Sequence, residues 1–225
     1  MGQTQIHSKS ALSTEKSVSE IIARVISDTA NPLLIPPLLI ITAGLILGLP
    51  PFQLGLISFI ALAFFTLIPF GSMMVLLQNG HIQSLDVPFR KNRNRLFGYS
   101  IISTTLGSLL LFLLCYGEYR FLVMAAMVFF LNPVIGYLFN LKFKISIHTA
   151  AVASAGILFL ALFWHIGGTN IWALGLSLFM LLVLLPLMFW SRRQLGIHTN
   201  SELAGGSAAG IFFTLLEIAI MQMIW

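Results

Sequence analysis

The 225-residue sequence predicts an all-α, polytopic transmembrane bundle of about six to seven spans, and three observations carry that prediction. The chain is 58% hydrophobic and only 8% charged, whereas soluble domains run near a quarter charged. Apolar stretches of about 20 residues, the length that crosses the hydrocarbon core, recur along the sequence, and its mean hydropathy is +0.95. Polar residues gather in short segments between these stretches, leaving room for roughly seven spans and no second soluble domain.

Residues 1–30 read as a mixed polar tail followed by an amphipathic approach helix over Val18–Ser27, with no signal-peptide apolar stretch near the start. Residues 31–225 read as one transmembrane helical domain. Its first span is expected over Pro32–Leu49 and its second over Phe52–Leu77, followed by a polar stretch from Gln78 to Arg95. The third covers Leu96–Tyr116 and the fourth Phe121–Leu141. After a link from Lys142 to His148 come a fifth, Thr149–Ile166, a sixth, Thr169–Trp190, and a seventh, Leu203–Trp225. Pro69, Pro133 and Pro186 fall inside spans two, four and six and suggest kinks there. Cys115 is the only cysteine and lies in an apolar run, which excludes a disulfide framework and a thiol–metal cluster.

Crossing the bilayer at every span places the ends of spans two, four and six on one side, together with the amino-terminal tail. Of the 12 Lys and Arg residues, Arg120 alone then falls on the opposite side. The positive-inside rule makes the basic face cytoplasmic. Lys9, Lys16 and Arg24 in the tail support this independently of any site the loops hold. Because the basic residues sit between spans, the net charge of +5 does not point to nucleic acid.

The most informative segment is Ser191–Gly206, SRRQLGIHTNSELAGG. It holds Ser191-Arg192, then five residues, His198, then three residues and Glu202, at a membrane boundary where charge is costly unless used. Glu202 follows His198 by four positions, so on a starting helix the two share one face. A carboxylate accepting from one imidazole nitrogen leaves the other free to attack an electrophile. Arg192 supplies a planar fork suited to phosphate oxygens. A second cluster, Lys144, Ser146 and His148, stands where span five begins. A helix start favours an anion, Ser146 can donate to it, Lys144 adds a point charge and His148 can protonate a leaving oxygen. The first basic loop adds Arg90, Arg93 and Arg95 as further phosphate ligands.

Three loops of this content in this order resemble the type-2 phosphatidic acid phosphatase superfamily, which includes lipid phosphate phosphatases and, more distantly, vanadium haloperoxidases. The segment SRx5HxxxE is close to that family's SRx5HxxxD, and Ala204-Gly205-Gly206 through Gly210 resembles its continuation. Ile145-Ser146-Ile147-His148 stands where the family has PSGH, and the first loop offers arginines without the family's Arg-Pro pair. The resemblance implies a metal-independent, cofactor-free, two-step hydrolysis. His198 would attack phosphorus and form a phosphohistidine, with Glu202 fixing its tautomer. His148 would protonate the departing alcohol and then help activate water. Arg95, Arg192, Lys144 and Ser146 would hold the phosphate oxygens, with Arg93 or Arg90 as substitutes in the first loop.

Competing readings stay open at this level. The basic loops also serve as topology signals, which is their usual meaning beside spans. His81 and His165 read as interfacial residues bonded to neighbouring helices, and Asp86 as a partner for an arginine of its own loop. Gly206 to Gly210 forms a small-residue face that brings the last span against the site helices, and Glu217 should face the bundle interior. The leading expectation is a phosphatase acting on a lipid phosphate or a polyprenyl or lipid diphosphate, with membrane lipids as its other partners. A catalytically inactive relative and a small lipid carrier are the alternatives. A carrier would place its polar residues nearer mid-membrane. A prenyl transferase needs Asp-rich loops, and outside the tail the chain has only Asp86. Short loops and compact length suggest a bacterial inner membrane.

Overall fold

The computed structural model describes residues 17–82, 90–115, 117 and 119–224, the first four residues of the second segment by backbone alone. Among them we number eight helices: α1 (Val18–Thr29), α2 (Ile35–Ile46), α3 (Pro51–Gln78), α4 (Arg90–Cys115), α5 (Arg120–Lys142), α6 (Ile147–His165), α7 (Ile171–Gln194) and α8 (Asn200–Ile224). No strand occurs among the described residues. Helices α3 to α8 are each long and apolar enough to cross a membrane, and they fall on the expected spans two to seven within a few residues. The chain is therefore an all-α polytopic membrane bundle.

The expected first span is the exception. Helix α2 runs over only 12 residues, Ile35–Ile46, a rise of about 18 Å against a hydrocarbon core of about 30 Å. Both of its limits are chemical. Pro36 and Pro37 occupy the first turn, where a missing N–H costs nothing, and no helix continues backwards through two prolines. At the other end Gly48 takes φ +70°, and Pro51 then opens α3. The shortfall leaves room in the bundle: Asn31, Pro32, Leu33 and Pro36 line a cavity.

The kinks suggested by proline take a specific form. Pro69 and Pro186 each follow a wider π turn, Ala63–Leu67 in α3 and Phe179–Leu184 in α7. Such a turn accommodates the ring that would collide with the carbonyl four residues back. The Ser103 hydroxyl of α4 donates to the Phe64 carbonyl inside the first of these turns, at 2.6 Å. Similar serine-to-carbonyl bonds join α4 to α5 (Ser108 to Ala126, 2.8 Å), α7 to α6 (Ser177 to Gly156, 2.8 Å) and α6 to α8 (Ser154 to Gly210, 3.2 Å). In an apolar medium such bonds and close packing hold helices together.

Helix α6 is the most buried of the six spans and α7 the least. The most extensive contacts are those of α6 with α7 and with α8 and those of α4 with α5. The α6–α8 contact requires glycine. A Cβ on Gly206 would strike the Ser146 carbonyl and the Thr149 hydroxyl, and one on Gly210 would strike the Ala150 backbone. This pairing (206 beside 146–149, 210 beside 150) runs α6 and α8 in parallel and sets their starts side by side. The small-residue face thus packs the last span on a site helix, as its spacing predicts.

Helix α1 begins with a capping box, Ser17 and Glu20 bonding each other's backbone N–H. It buries Ala23 and Ser27 and exposes Val18, Ile21, Ile22 and Val25. Its buried side rests on the carboxy-terminal end of α7, where the Ser191 hydroxyl donates to the Ala23 carbonyl at 2.6 Å.

Candidate functional site

The site forms where the starts of α6 and α8 meet the end of α7. Helix α7 closes with Gly196 at φ +65°, the Ile197 N–H returning to the Arg192 carbonyl at 3.3 Å. That left-handed turn, which favours glycine, folds the chain back so that His198 stands beside Arg192. The next helix starts with a second capping box. The Glu202 N–H donates to the Thr199 hydroxyl at 3.3 Å, and the Thr199 N–H donates to Glu202 Oε2 at 3.2 Å.

The same carboxylate oxygen engages the histidine. His198 Nδ1 lies 2.9 Å from Glu202 Oε2, and Lys144 Nζ lies 3.4 Å from that oxygen. Lys144 Nζ also donates to the Ile197 carbonyl at 2.9 Å, tying the start of α6 to the loop. Since a carboxylate only accepts, Nδ1 carries the proton and Nε2 carries the lone pair. His198 is only 7% exposed. Burial holds its ring well below the usual histidine range, at about 4. The Glu202 hydrogen bond opposes that shift, and the Arg192 and Lys144 charges add to it. The imidazole is neutral at pH 7.

His198, His148, Lys144 and Arg192 all line one cavity of about 210 Å³. Beyond them its walls are largely apolar and include Phe65, Pro69, Phe97, Phe129 and Pro133. The Arg192 guanidinium is 2% exposed and donates through one terminal nitrogen to the Ser27 hydroxyl at 2.8 Å.

Other candidates stand elsewhere. Ser146 is fully buried and does not line the cavity. It caps α6, its hydroxyl accepting from the Thr149 N–H at 3.4 Å and its own N–H donating to the Glu202 carbonyl at 3.0 Å. Its hydroxyl and its amide are both engaged at the α6–α8 junction. Arg95 is exposed and outside the cavity wall. The side chains of Arg90 and Arg93, and Asp86, lie outside the described residues. His165 stacks on Phe121 of α5 at 5.8 Å between ring centres, and His81 is exposed at the end of α3. Glu217 is buried in the bundle as expected, but neither of its oxygens has a hydrogen-bond partner among the described residues.

Three contributors escaped the sequence. Ser27 reaches Arg192 from α1. Asn132 lines the cavity and donates to the Ser154 hydroxyl at 3.3 Å; as a polar residue inside an apolar span it carried a signal. Thr149 bonds the Leu203 carbonyl at 3.1 Å and seals the α6–α8 junction. Among the described residues no three His, Cys, Asp or Glu side chains gather as a metal site would need. In comparisons with known proteins, no family model, curated protein or solved structure matches this chain.

Proposed function

We propose that this chain is an integral-membrane phosphatase of the type-2 phosphatidic acid phosphatase superfamily, hydrolysing a lipid phosphate or diphosphate through a phosphohistidine. The observation that carries the proposal is His198, paired with Glu202, on the wall of a cavity shared with His148, Lys144 and Arg192. Two cations and two imidazoles line that cavity, and most of its other lining side chains are apolar. This suits a phosphate carried on an apolar chain.

In the proposed reaction, Nε2 of His198 attacks phosphorus, and the bond from phosphorus to the leaving oxygen breaks. His148 gives that oxygen a proton. Glu202 stabilises the positive charge that develops on the His198 ring, as an acid behind a nucleophilic or basic histidine does. Arg192 and Lys144 stabilise charge on the phosphoryl oxygens. Water, its proton taken by His148, then attacks phosphorus, the P–N bond breaks, and inorganic phosphate leaves. The abundance of Lys and Arg on the site face supports a cytoplasmic orientation, and the short loops and compact length a bacterial inner membrane.

The test is phosphate release by the purified protein in EDTA from phosphatidic acid, phosphatidylglycerol phosphate and a polyprenyl diphosphate. Release from at least one, abolished in His198→Ala, is the expected result. A wild-type rate in His198→Ala removes the nucleophile assignment. A well-folded protein with neither turnover nor vanadate binding favours the inactive relative or the carrier instead.

A further inference from the structure

Two hydrogen bonds clasp α1 to adjacent residues of α7. The Ser191 hydroxyl donates to the Ala23 carbonyl at 2.6 Å, and the Arg192 guanidinium donates to the Ser27 hydroxyl at 2.8 Å. Ala23 and Ser27 stand one turn apart on one face of α1, and both are 0% exposed. Opposite that face, Val18, Ile21, Ile22 and Val25 recur at i, i+3, i+4 and i+7 and are exposed, the pattern of a helix lying in a membrane interface. The helix is thus held between lipid and Arg192, the one cavity-lining arginine among the described residues.

A guanidinium is a rigid planar fork, so a bond to one terminal nitrogen restrains the orientation of the whole group. Arginine otherwise has many rotamers, and holding a charged ligand in register before its anion arrives removes that ordering cost. We infer that Ser27 is a positioning residue for Arg192, which makes α1 part of the anion site. This rests on the phosphatase reading above. If the bond served only to satisfy a buried charge, its loss would lower stability and leave anion affinity alone.

The experiment measures KM for the lipid substrate, the Ki of inorganic vanadate, and thermal stability, in the full chain in detergent. Ser27→Ala should raise KM and the vanadate Ki about tenfold, the scale of one charge-assisted hydrogen bond. The control Thr29→Ala, whose exposed hydroxyl bonds only its own helix at Val25 (2.7 Å) and Ile26 (3.2 Å), should change neither. In an Arg192→Lys background Ser27→Ala should weaken vanadate no further, because the group it positions is gone. Ser191→Ala, which opens the neighbouring clasp, should move the same constants by a smaller factor and serves if Ser27→Ala does not fold. Unchanged constants in either folded variant, or an equal loss in both Arg192 backgrounds, overturn the inference. A wild-type protein without turnover or vanadate inhibition overturns instead the phosphatase reading beneath it.

Discussion

Glu202 carries two structural duties on one oxygen: it closes the capping box of α8 and it receives Nδ1 of His198. A capping box calls for Glu or Gln, whose length reaches back to the N-cap amide. The length of Glu202, one methylene more than an aspartate, therefore has a use in this chain. Glu202→Gln keeps that reach but loses the charge that stabilises an imidazolium, so kcat should fall on the order of 10³-fold. Glu202→Asp should be milder in rate. Single-turnover kinetics on the lipid found most active would read both; equal rates for wild type and Glu202→Gln would remove Glu202 from the mechanism.

The depressed value of His198 makes a second prediction at this scale. A buried neutral histidine remains a nucleophile until the pH approaches its folded value, about 4, well below the ordinary histidine range. The acid limb of kcat/KM attributable to His198 should therefore lie near pH 4. Lys144→Gln removes a charge that lowers the value, so the limb should move up; Glu202→Gln removes a group that raises it, so the limb should move down. Movement of both variants in one direction would contradict the assignment. Below the unfolded histidine value of about 6.5 the unfolded chain takes up this proton and the folded one does not. The stability tied to His198 is thus complete above that value and is lost as pH falls toward 4.

At the scale of elements, glycine at the α6–α8 crossing decides whether the site exists. Gly206→Val would drive a side chain into the backbone of Ser146, and α8 would have to lift away from α6. The cost should be roughly 3 kcal/mol, the upper part of the usual range for overpacking. Turnover should fall with it, since Glu202 and Ser146 share that junction. Gly175→Ala is the matching control. Its added methyl meets open space on an exposed stretch of α7, and the change should be neutral or slightly stabilising. Thermal unfolding in detergent, followed beside activity, distinguishes the two; a tolerated Gly206→Val would mean that the crossing is looser than drawn.

At the scale of the whole molecule the site face and its opposite can be told apart chemically. Arg193 is exposed at the site end of α7 and Thr169 is exposed at the other end, while Cys115 is buried. A cytoplasmic site predicts that a membrane-impermeant maleimide labels Thr169→Cys in intact cells and Arg193→Cys only after lysis. The reverse pattern would place the site on the outer face.

Much of this arrangement was legible in the chain because hydropathy and helix period act locally. Six spans and the His198–Glu202 pairing at i, i+4 follow from neighbours in sequence. The first apolar stretch misled, since hydropathy over Pro32–Leu49 cannot register that Pro36-Pro37 and Gly48 cap a helix of 12 residues. The structural partners of Ser146 and Ser27 were not legible for a different cause. Whether a serine faces an anion, caps a helix or holds an arginine depends on what packs against it, and those partners lie 56 and 165 positions away.

The parallel setting of α6 and α8 has a consequence for biosynthesis. Helix α8 follows the other seven in chain order, and α7 must be threaded through the bilayer before α8 can dock. Until it docks, the His198–Glu202 pair is not set against Lys144 at the start of α6, and the flank of α6 that receives Gly206 and Gly210 is covered only by lipid. A nascent chain thus carries its histidines and cations on helices that have not yet met. The candidate site is assembled in a single step, when α8 packs on α6, so that a product stalled before α8 lacks the assembled site.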